Sequence, residues 1–483
     1  MTTSARRLIS DSAVYGLGGV ANQALAVILV PIYANVLGIE NFGLMALVNT
    51  TLSLATMIVT LALPQAFFRS YLMEHDDEPG RSHVLSTALG LRLLVSVIGL
   101  GLLLAIAFPL TRLLFGETSQ LPTILAIGPI VFCDTLNLVP LSFFRAERQP
   151  AVYAALSFSR AVLGSLMIIL FVVGFRLGVF GVVLGGLTAA AAVALAGIAL
   201  LWRAGRLHVA VDPPLARGMF TFALPLVPAA IAGWTLNLSD RYLVGAFQGH
   251  AAVGVYAAGY TIGLVVNALV VAPFTLAWAA TFWEISKGPR APETYARVMA
   301  GFVVAAAFVA LLLSAVATDG LRLLFQPGFE AGRFVVPFSA FAYVLYGVYT
   351  IGATGINIVG RTGMLPITTG LAAAANLALN LALIPWLGYL GAAVATLLSY
   401  GTLALSTTLV SQRYYPVPWQ WWRMAGAMGL AGSLAAAALL GPDHLGWRAA
   451  CVLAYPIMAF ALGLAGRGDL FALLGGLRRG GTS

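Results

Sequence analysis

The chain has 483 residues, of which 60% are hydrophobic and only 9% are charged, and its mean hydropathy is +0.94. This composition excludes a soluble multi-domain protein, because a soluble protein with so few charged residues would expose an apolar surface to water. The formal net charge of +9 does not indicate a nucleic-acid partner, since most basic residues fall where the topology of a membrane protein requires them.

Apolar runs long enough to cross a bilayer recur along the whole sequence. A bilayer core about 30 Å thick needs roughly 20 apolar residues in a helix. The candidate spans lie at about residues 12–37, 42–66, 84–108, 121–143, 151–174, 179–202, 219–247, 252–282, 297–317, 333–357, 364–385, 388–410, 424–440 and 445–464. The sequence therefore predicts an all-α integral membrane protein with about 14 transmembrane helices.

The basic residues predict how these spans are oriented. With both termini on one side, 18 of the 26 Lys and Arg residues fall on that side, five fall on the other, and three lie within spans. Cytoplasmic loops carry an excess of Lys and Arg. We therefore expect both termini to be cytoplasmic, which requires an even number of spans.

Two sequence patterns recur at nearly one offset and predict an internal duplication. Gly38 in the turn after span 1 matches Gly249 in the turn after span 7, 211 positions later. Gly178 after span 5 matches Gly388 after span 11, 210 positions later. Six-helix repeats in parallel topology follow from this offset. The predicted domains are residues 1–210 as an N-terminal six-helix lobe, 211–412 as a C-terminal six-helix lobe, and 413–483 as spans 13 and 14 with a tail.

Two segments outside the spans have predicted roles. The linker at residues 202–218 is polar, contains proline and is cytoplasmic in the predicted topology, so we expect it to act as the hinge between the lobes. The tail at residues 469–481 alternates apolar and basic residues. It predicts an amphipathic segment on the inner membrane surface.

Charged residues inside spans are costly and predict function. Arg92, Arg160 and Arg241 each lie within a span, where an arginine costs at least about 2.5 kcal/mol on insertion scales. Guanidinium groups can bind a diphosphate or acidic sugars through forked hydrogen bonds. The alternative is that they neutralise carboxylates, and Asp134 and Asp240 are the candidate partners, with a structural or ion-coupling role.

The stretch NLSDRYLVGAF, residues 237–247, places Asp240 directly before Arg241. Neighbours on a continuous helix point about 100° apart. We therefore expect Arg241 to face a polar cavity between the lobes, on the same stripe as Asn237, and Asp240 to point toward an adjacent helix.

Uncharged polar residues form helical stripes on spans of both lobes, and within lipid such faces must meet protein or water. The alternative is that many of them only join helices, at roughly 0.6 kcal/mol per hydrogen bond. Together with the three arginines, the predicted substrate-binding residues are Asn22, Asn237, Asn267, Asn376 and Asn380.

Catalytic and cofactor motifs were not found in the sequence. There is no Ser/His/Asp grouping, P-loop or HExxH, so we expect no enzyme activity, no metal site and no cofactor. The group His75, Asp76, Asp77 and Glu78 lacks helical spacing and is interpreted as a solvated charge run.

The whole chain resembles a known family at three stretches. They are YGLGGVANQALAVILVPIYANVLGIENFGLMAL, NLSDRYLVGAFQGHAAVGVYAAGYTIG and NLALNLALIPWLGYLGAAVATLLSY. These are similar to the oligosaccharide or O-antigen flippases (Wzx type), a polysaccharide biosynthesis family of the MOP superfamily. The resemblance implies two six-helix lobes forming a V, two extra C-terminal helices and alternating access. It carries over the matched positions Asn237, Asp240, Arg241, Asn376 and Asn380.

The resemblance also implies a function. We expect a flippase that moves a polyprenyl-diphosphate-linked oligosaccharide from the cytoplasmic to the outer leaflet of a bacterial inner membrane, for O-antigen or exopolysaccharide synthesis. Membrane lipids, a polysaccharide polymerase and glycosyltransferases would be its partners. Two alternatives remain open: a cation-coupled drug or metabolite antiporter of the same superfamily, and a membrane-bound sugar polymerase, which the short outer loops disfavour.

Overall fold

The computed structural model describes residues 3–74, 77–116, 118–206 and 208–466, with the backbone alone for residues 3–28, 74 and 280. Every regular element in these residues is helical. The predicted amphipathic tail and the side chain of Asn22 lie outside what is described. The chain divides into two compact units, with the division between Trp234 and Thr235, and the predicted lobe boundaries at residues 210 and 412 stay a prediction.

The N-terminal unit contains eight complete helices and the first part of a ninth in its described residues. They are α1 Thr3–Thr60, α2 Leu63–Arg69, α3 Glu78–Phe115, α4 Leu121–Leu125, α5 Ile127–Ala146, α6 Pro150–Ile169, α7 Gly178–Arg203, α8 Pro213–Ala223 and α9 Val227–Leu238. Single π-helical turns follow α2 and α6, at Ser70–Glu74 and Leu170–Gly174.

The C-terminal unit takes in the last residues of α9 and the remaining described helices. They are α10 Asp240–Gln248, α11 His250–Gly263, α12 Ala272–Ile285, α13 Ala291–Ala315, α14 Ala317–Leu324, α15 Val335–Gly352, α16 Thr354–Ile358, α17 Met364–Leu387, α18 Tyr389–Tyr414, α19 Trp421–Leu440 and α20 Leu445–Ala461. A π-helical turn, Asn267–Val271, precedes α12.

The predicted membrane fold is confirmed. Within the described residues, twelve helices are long and apolar enough to cross a membrane, and Leu445–Ala461 is a shorter apolar helix. Helix α1 contains the first predicted span and most of the second, which a non-helical residue, Gly38, separates. The protein is therefore a multi-pass membrane protein, while the exact number of 14 spans stays a prediction.

The glycines that predicted a duplication share an unusual backbone conformation. Gly38 and Gly249 have φ of 76° and 80°, with ψ of 172° and 179°. Gly178 and Gly388 have φ of 58° and 62°. Positive φ combined with extended ψ is essentially restricted to glycine. The first pair of matched turns therefore shares its geometry as well as its sequence, and the second pair shares a positive φ at its glycine.

The start of the predicted seventh span packs into the core of the N-terminal unit. Ala216, Met219 and Ala223 of α8 are buried in one cluster with side chains of α2, α3 and α5, including Phe67 and Phe143. This packing explains why the division into units falls within α9, after α8, and not at the linker.

The described part of the linker is attached to α3. The Ala210 N–H donates to the carbonyl oxygen of Ser86 (3.4 Å), and Asp212 Oδ2 lies within hydrogen-bond distance of His83 Nε2, at 2.7 Å. Arg206 pairs with Glu78. These contacts join the described part of the linker to a helix of its own unit, and the expectation that the linker is the pivot stays a prediction.

Helices α19 and α20, which lie outside the duplication, pack against α13. Ala315, Ala438 and Cys451 form a small buried cluster there. At one end of these helices Arg448 pairs with Asp319 and Asp443. The buried cluster and these ion pairs join the two extra helices to the rest of the C-terminal unit.

Candidate functional site

The charge pair of the stretch 237–247 lies where α9 passes into α10 through one residue, Ser239, that keeps helical dihedral angles. Helix α9 ends at Leu238 and α10 begins at Asp240. Asp240 Oδ1 accepts a hydrogen bond from the Arg241 backbone N–H (2.8 Å) and another from Arg241 Nη1 (3.1 Å). The expectation that the two side chains do not face each other is wrong. Ser239 between α9 and α10 keeps helical dihedral angles, with φ of −67° and ψ of −25°. The contact therefore arises because the long arginine side chain folds back to the carboxylate of its neighbour.

Further contacts enclose this pair inside the C-terminal unit. Asp240 Oδ2 accepts hydrogen bonds from the Tyr256 hydroxyl and from Thr396 Oγ1, the latter at 3.4 Å. Arg241 Nη1 also donates to the Asn237 carbonyl oxygen (3.1 Å), and its guanidinium lies 4.8 Å from the ring centroid of Tyr260. Asp240 and Arg241 are only 1% and 9% exposed. We expected Arg241 to face a polar cavity. Instead, these contacts hold it inside the C-terminal unit.

Three of the predicted asparagines adjoin the same pair. Asn380 Nδ2 donates to Asn376 Oδ1 (3.0 Å), which also lies 3.5 Å from the hydroxyl of Ser239, the residue before Asp240. Asn237 Oδ1 accepts from the Tyr400 hydroxyl at 2.5 Å. Five predicted residues are thus brought together, and we call Asn237, Asp240, Arg241, Asn376 and Asn380 the Asp240 cluster.

Two atoms of the Asp240 cluster have no hydrogen-bond partner in the described chain, although Asn376 and Asn380 are fully buried. They are Asn376 Nδ2 and Asn380 Oδ1. Buried polar groups are nearly always hydrogen-bonded, so such exceptions require an explanation. One donor and one acceptor of the Asp240 cluster are thus buried without a hydrogen-bond partner in the described chain.

The second charge pair lies in the N-terminal unit and is more open. Arg160 of α6 donates two hydrogen bonds to Asp134 of α5, from Nε to Oδ1 at 2.8 Å and from Nη2 to Oδ2 at 3.0 Å. Both side chains are 26% exposed. A Cβ added at Gly164 would lie 3.1 Å from Arg160 Nη1, so this glycine leaves room for the guanidinium. The predicted alternative, in which Asp134 neutralises Arg160, is confirmed as a contact.

Arg92 of α3 binds the end of a helix. It is 1% exposed, and its Nη1 and Nη2 donate to the carbonyl oxygens of Val59 and Thr60, each at 3.1 Å. These carbonyls belong to the last turn of α1, where intrahelical donors are missing and a cation is favoured by the helix dipole. Arg92 is thus placed to cap α1, and its substrate role stays a prediction that this geometry does not support.

The other predicted site residues are separate from these groups. Asn267 is half-buried in the π-helical turn before α12, and Asn22 lies outside the described side chains. No contact in the described chain joins Arg92 to the pair of Arg160 and Asp134. Within the described residues no group of three or more His, Cys, Asp or Glu side chains is arranged to hold a metal ion.

Sequence reasoning missed two residues of α18 that complete the site. Thr396 donates to Asp240, and Tyr400 donates to Asn237. The signal was present, because Thr396, Tyr400 and Thr407 recur at helical spacing within an apolar span, which marks one polar face.

A model of a known protein family matches more than half of the chain. The family model described as polysaccharide biosynthesis protein matches residues 8–286, which include the pair of Arg160 and Asp134 and the first part of the Asp240 cluster. The chain belongs to this family. No curated protein sequence matches it.

Solved structures share the fold at low sequence identity. The lipid II flippase MurJ in an inward closed conformation has a TM-score of 0.75 at 12% identity, over 93% of this chain and 99% of that one. An inward-facing multidrug resistance MATE family transporter of the MOP superfamily has a TM-score of 0.65 at 12% identity, over 84% and 96%. A mutant of the Vibrio cholerae MATE transporter VcmN has a TM-score of 0.58 at 15% identity, over 85% and 96%.

Proposed function

We propose that this protein is a flippase that translocates a polyprenyl-diphosphate-linked oligosaccharide from the cytoplasmic to the outer leaflet by alternating access. Membership of the polysaccharide biosynthesis family supports a role in making a cell-surface or exported polysaccharide. The fold shared with MurJ, a lipid II flippase, is compatible with moving a lipid-linked precursor. We place the protein in the bacterial inner membrane with both termini cytoplasmic, on the distribution of its basic residues.

The observation that carries the proposal is the forked, partly exposed pair of Arg160 and Asp134 within membrane-spanning helices. Its guanidinium already presents two parallel donors to two carboxylate oxygens, which is the geometry that also binds phosphate. The diphosphate of the substrate replaces Asp134 as the acceptor when it binds, and Asp134 takes the guanidinium back when the substrate leaves. Arg160 is thus the substrate contact, and Asp134 keeps its charge satisfied between cycles.

The Asp240 cluster has a different role in this proposal. Its charges are sealed inside the C-terminal unit, where an oligosaccharide headgroup does not fit. The cluster holds a buried carboxylate and, on Asn380, an amide oxygen without a hydrogen-bond partner in the described chain. Oxygen atoms of these kinds are the ligands that a small hard cation takes, and the carboxylate can also take a proton. We assign Asp240 to ion coupling, with Arg241 as its charge partner.

The test is a strain that lacks the gene, complemented with variants. Loss of the protein should abolish one surface glycan and accumulate its lipid-linked precursor. Wild type and Arg112→Gln should restore the glycan, because Arg112 is exposed and its guanidinium lies against the ring of Phe108. Arg160→Gln, present in the membrane at the wild-type level, should not. Normal glycan with Arg160→Gln would refute the anion site.

A charge exchange separates substrate binding from a structural salt bridge. If the pair were only structural, Arg160→Asp combined with Asp134→Arg would restore function, and Asp134→Asn would be as damaging as Arg160→Gln. In the proposed mechanism the exchange stays inactive, because the guanidinium moves to α5, and Asp134→Asn retains more activity than Arg160→Gln.

The antiporter alternative is favoured by one observation, the MATE transporter fold. It predicts that the deletion strain keeps its glycans and gains sensitivity to cationic drugs. Under the flippase proposal the glycan is lost and drug sensitivity does not change, so the same strain distinguishes the two functions.

A further inference from the structure

A cavity of about 840 Å³ lies in the N-terminal unit, between the end of α2 and the beginning of α8. It is distinct from the pair of Arg160 and Asp134 and from the Asp240 cluster, none of whose residues line it. Its size falls in the range of roughly 300–1,000 Å³ that is typical of small-molecule sites. The two helices that form it enclose a space large enough for a ligand.

The charge on this cavity has one sign. Arg69 and Arg217 line it, and no carboxylate is among its lining residues. Both arginines are exposed, and the Arg69 guanidinium lies 4.8 Å from the ring centroid of Phe222. Such a site attracts an anion, and a planar guanidinium resting on an aromatic ring is well placed for a phosphate.

The remainder of the lining is largely apolar. Met219, Phe222 and Leu226 follow one another along α8 and the start of the next helical segment. Arg69 is the last residue of α2, and α8 begins a predicted membrane span at Pro213. The arginines therefore lie near the ends of spans, where lipid headgroups lie, while the apolar residues extend toward the hydrocarbon core.

We infer that this cavity binds an anionic glycerophospholipid of the surrounding membrane. The phosphate lies at Arg69 and Arg217, and one acyl chain lies along Met219, Phe222 and Leu226. Basic pockets between transmembrane helices on the cytoplasmic side are the sites at which anionic headgroups bind. This inference does not depend on which substrate the protein transports.

The test uses the full-length protein, purified in detergent and stripped of lipid. Binding of dioleoylphosphatidylglycerol, of dioleoylphosphatidylcholine with the same acyl chains, and of inorganic pyrophosphate is measured by native mass spectrometry and by thermal unfolding. Arg69→Gln combined with Arg217→Gln removes the anion contact. Arg112→Gln is the matched control, because its guanidinium lies 4.7 Å from the ring centroid of Phe108 and Arg112 does not line this cavity.

A second variant fills the apolar part without straining the backbone. Gly218 lines the cavity, and a Cβ added there meets no atom within 4 Å. Gly218→Phe should therefore fold normally and occupy the lipid's space. Gly101→Phe on α3, where an added Cβ also meets nothing within 4 Å, is its control outside the cavity.

The expected result is that wild type and both controls bind phosphatidylglycerol in preference to phosphatidylcholine. The double arginine variant should lose about tenfold in phosphatidylglycerol affinity, the scale of a charge-assisted contact, and Gly218→Phe should weaken both lipids. Unchanged phosphatidylglycerol binding in these variants would overturn the inference. Equal stabilisation by pyrophosphate would also overturn it, in favour of a free-anion site. Displacement of phosphatidylglycerol by the lipid-linked substrate at equal concentration would assign the cavity to transport instead.

Discussion

Replacing Asp240 by alanine is expected to destabilise the C-terminal unit strongly, because it leaves a guanidinium buried without its carboxylate. In wild type, Asp240 accepts hydrogen bonds from Tyr256, from Thr396 and from two N–H groups of Arg241. After the substitution, Arg241 keeps its bond to the Asn237 carbonyl and its contact with aromatic rings. These contacts do not neutralise its charge.

The magnitude follows from burial. Asp240 and Arg241 are 1% and 9% exposed, and removing one partner of a buried pair costs about 3–5 kcal/mol. Asp240→Ala combined with Arg241→Met should recover most of this loss, since no unpaired charge remains. The matched comparison is Asp134→Ala, whose partner Arg160 is 26% exposed and can be rehydrated. That substitution should cost about 1 kcal/mol or less.

The assay is reversible unfolding of the purified protein in mixed detergent micelles, monitored by tryptophan fluorescence. The proteins are wild type, the three variants of the double-mutant cycle (Asp240→Ala, Arg241→Met and their combination), and Asp134→Ala as the comparison. A coupling energy of several kcal/mol between the two positions is expected. If Asp240→Ala cost no more than Asp134→Ala, or if the double variant were as unstable as Asp240→Ala alone, the reasoning from burial would be refuted.

Three further predictions concern structural residues. Arg92→Met should lower stability by about 1–3 kcal/mol because two carbonyl oxygens at the end of α1 lose their donors, and an unchanged unfolding midpoint would exclude the cap. A hydrogen bond to His83, with a second from a backbone N–H, lowers the pKa of Asp212 below its ordinary value of 3.8. The stabilisation that Asp212 provides is therefore complete above pH 3.8 and is lost as pH falls through the lowered pKa. The difference in unfolding midpoint between wild type and Asp212→Asn should hold at about pH 5 and vanish in stronger acid. A difference that persisted in stronger acid would contradict this prediction. Gly259→Ala places a Cβ 2.2 Å from a backbone carbonyl oxygen and should lower the free energy of unfolding by about 1–3 kcal/mol. Gly432→Ala, with open space around it, should leave that free energy unchanged or raise it by up to about 1 kcal/mol. Equal effects at the two glycines would show that the backbone next to Gly259 moves to accommodate the added methyl group.

Much of the fold followed from local sequence. Apolar runs of the length of a bilayer can only be helices there, since every backbone polar group must be satisfied within the segment. The turns after the spans were also predictable, because Gly38 and Gly249 occupy a backbone conformation that only glycine adopts readily. These features depend on residues close together in the chain.

The candidate site was predicted only in part. The polar pattern within spans singled out Asn237, Asp240 and Arg241, and the structure brings them together with Asn376 and Asn380 from α17. Their predicted roles in substrate binding and ion coupling stay predictions. Their orientation was mispredicted, because the spacing of neighbours on a helix gives the directions of the Cα–Cβ bonds and not the reach of a long side chain. The Arg241 side chain folds back to Asp240.

The sequence by itself determined that this is an all-α membrane protein, built on a repeated pattern, with a small number of buried charges that require partners. Only the tertiary structure decided which partner each charge has. Arg92 caps a helix, Arg160 is paired and partly open, and Arg241 is paired and sealed. The physical reason is that an arginine inside a membrane must be neutralised or hydrogen-bonded, but carboxylates and free helix ends satisfy it equally well. Which of these lies within reach depends on residues far apart in the chain.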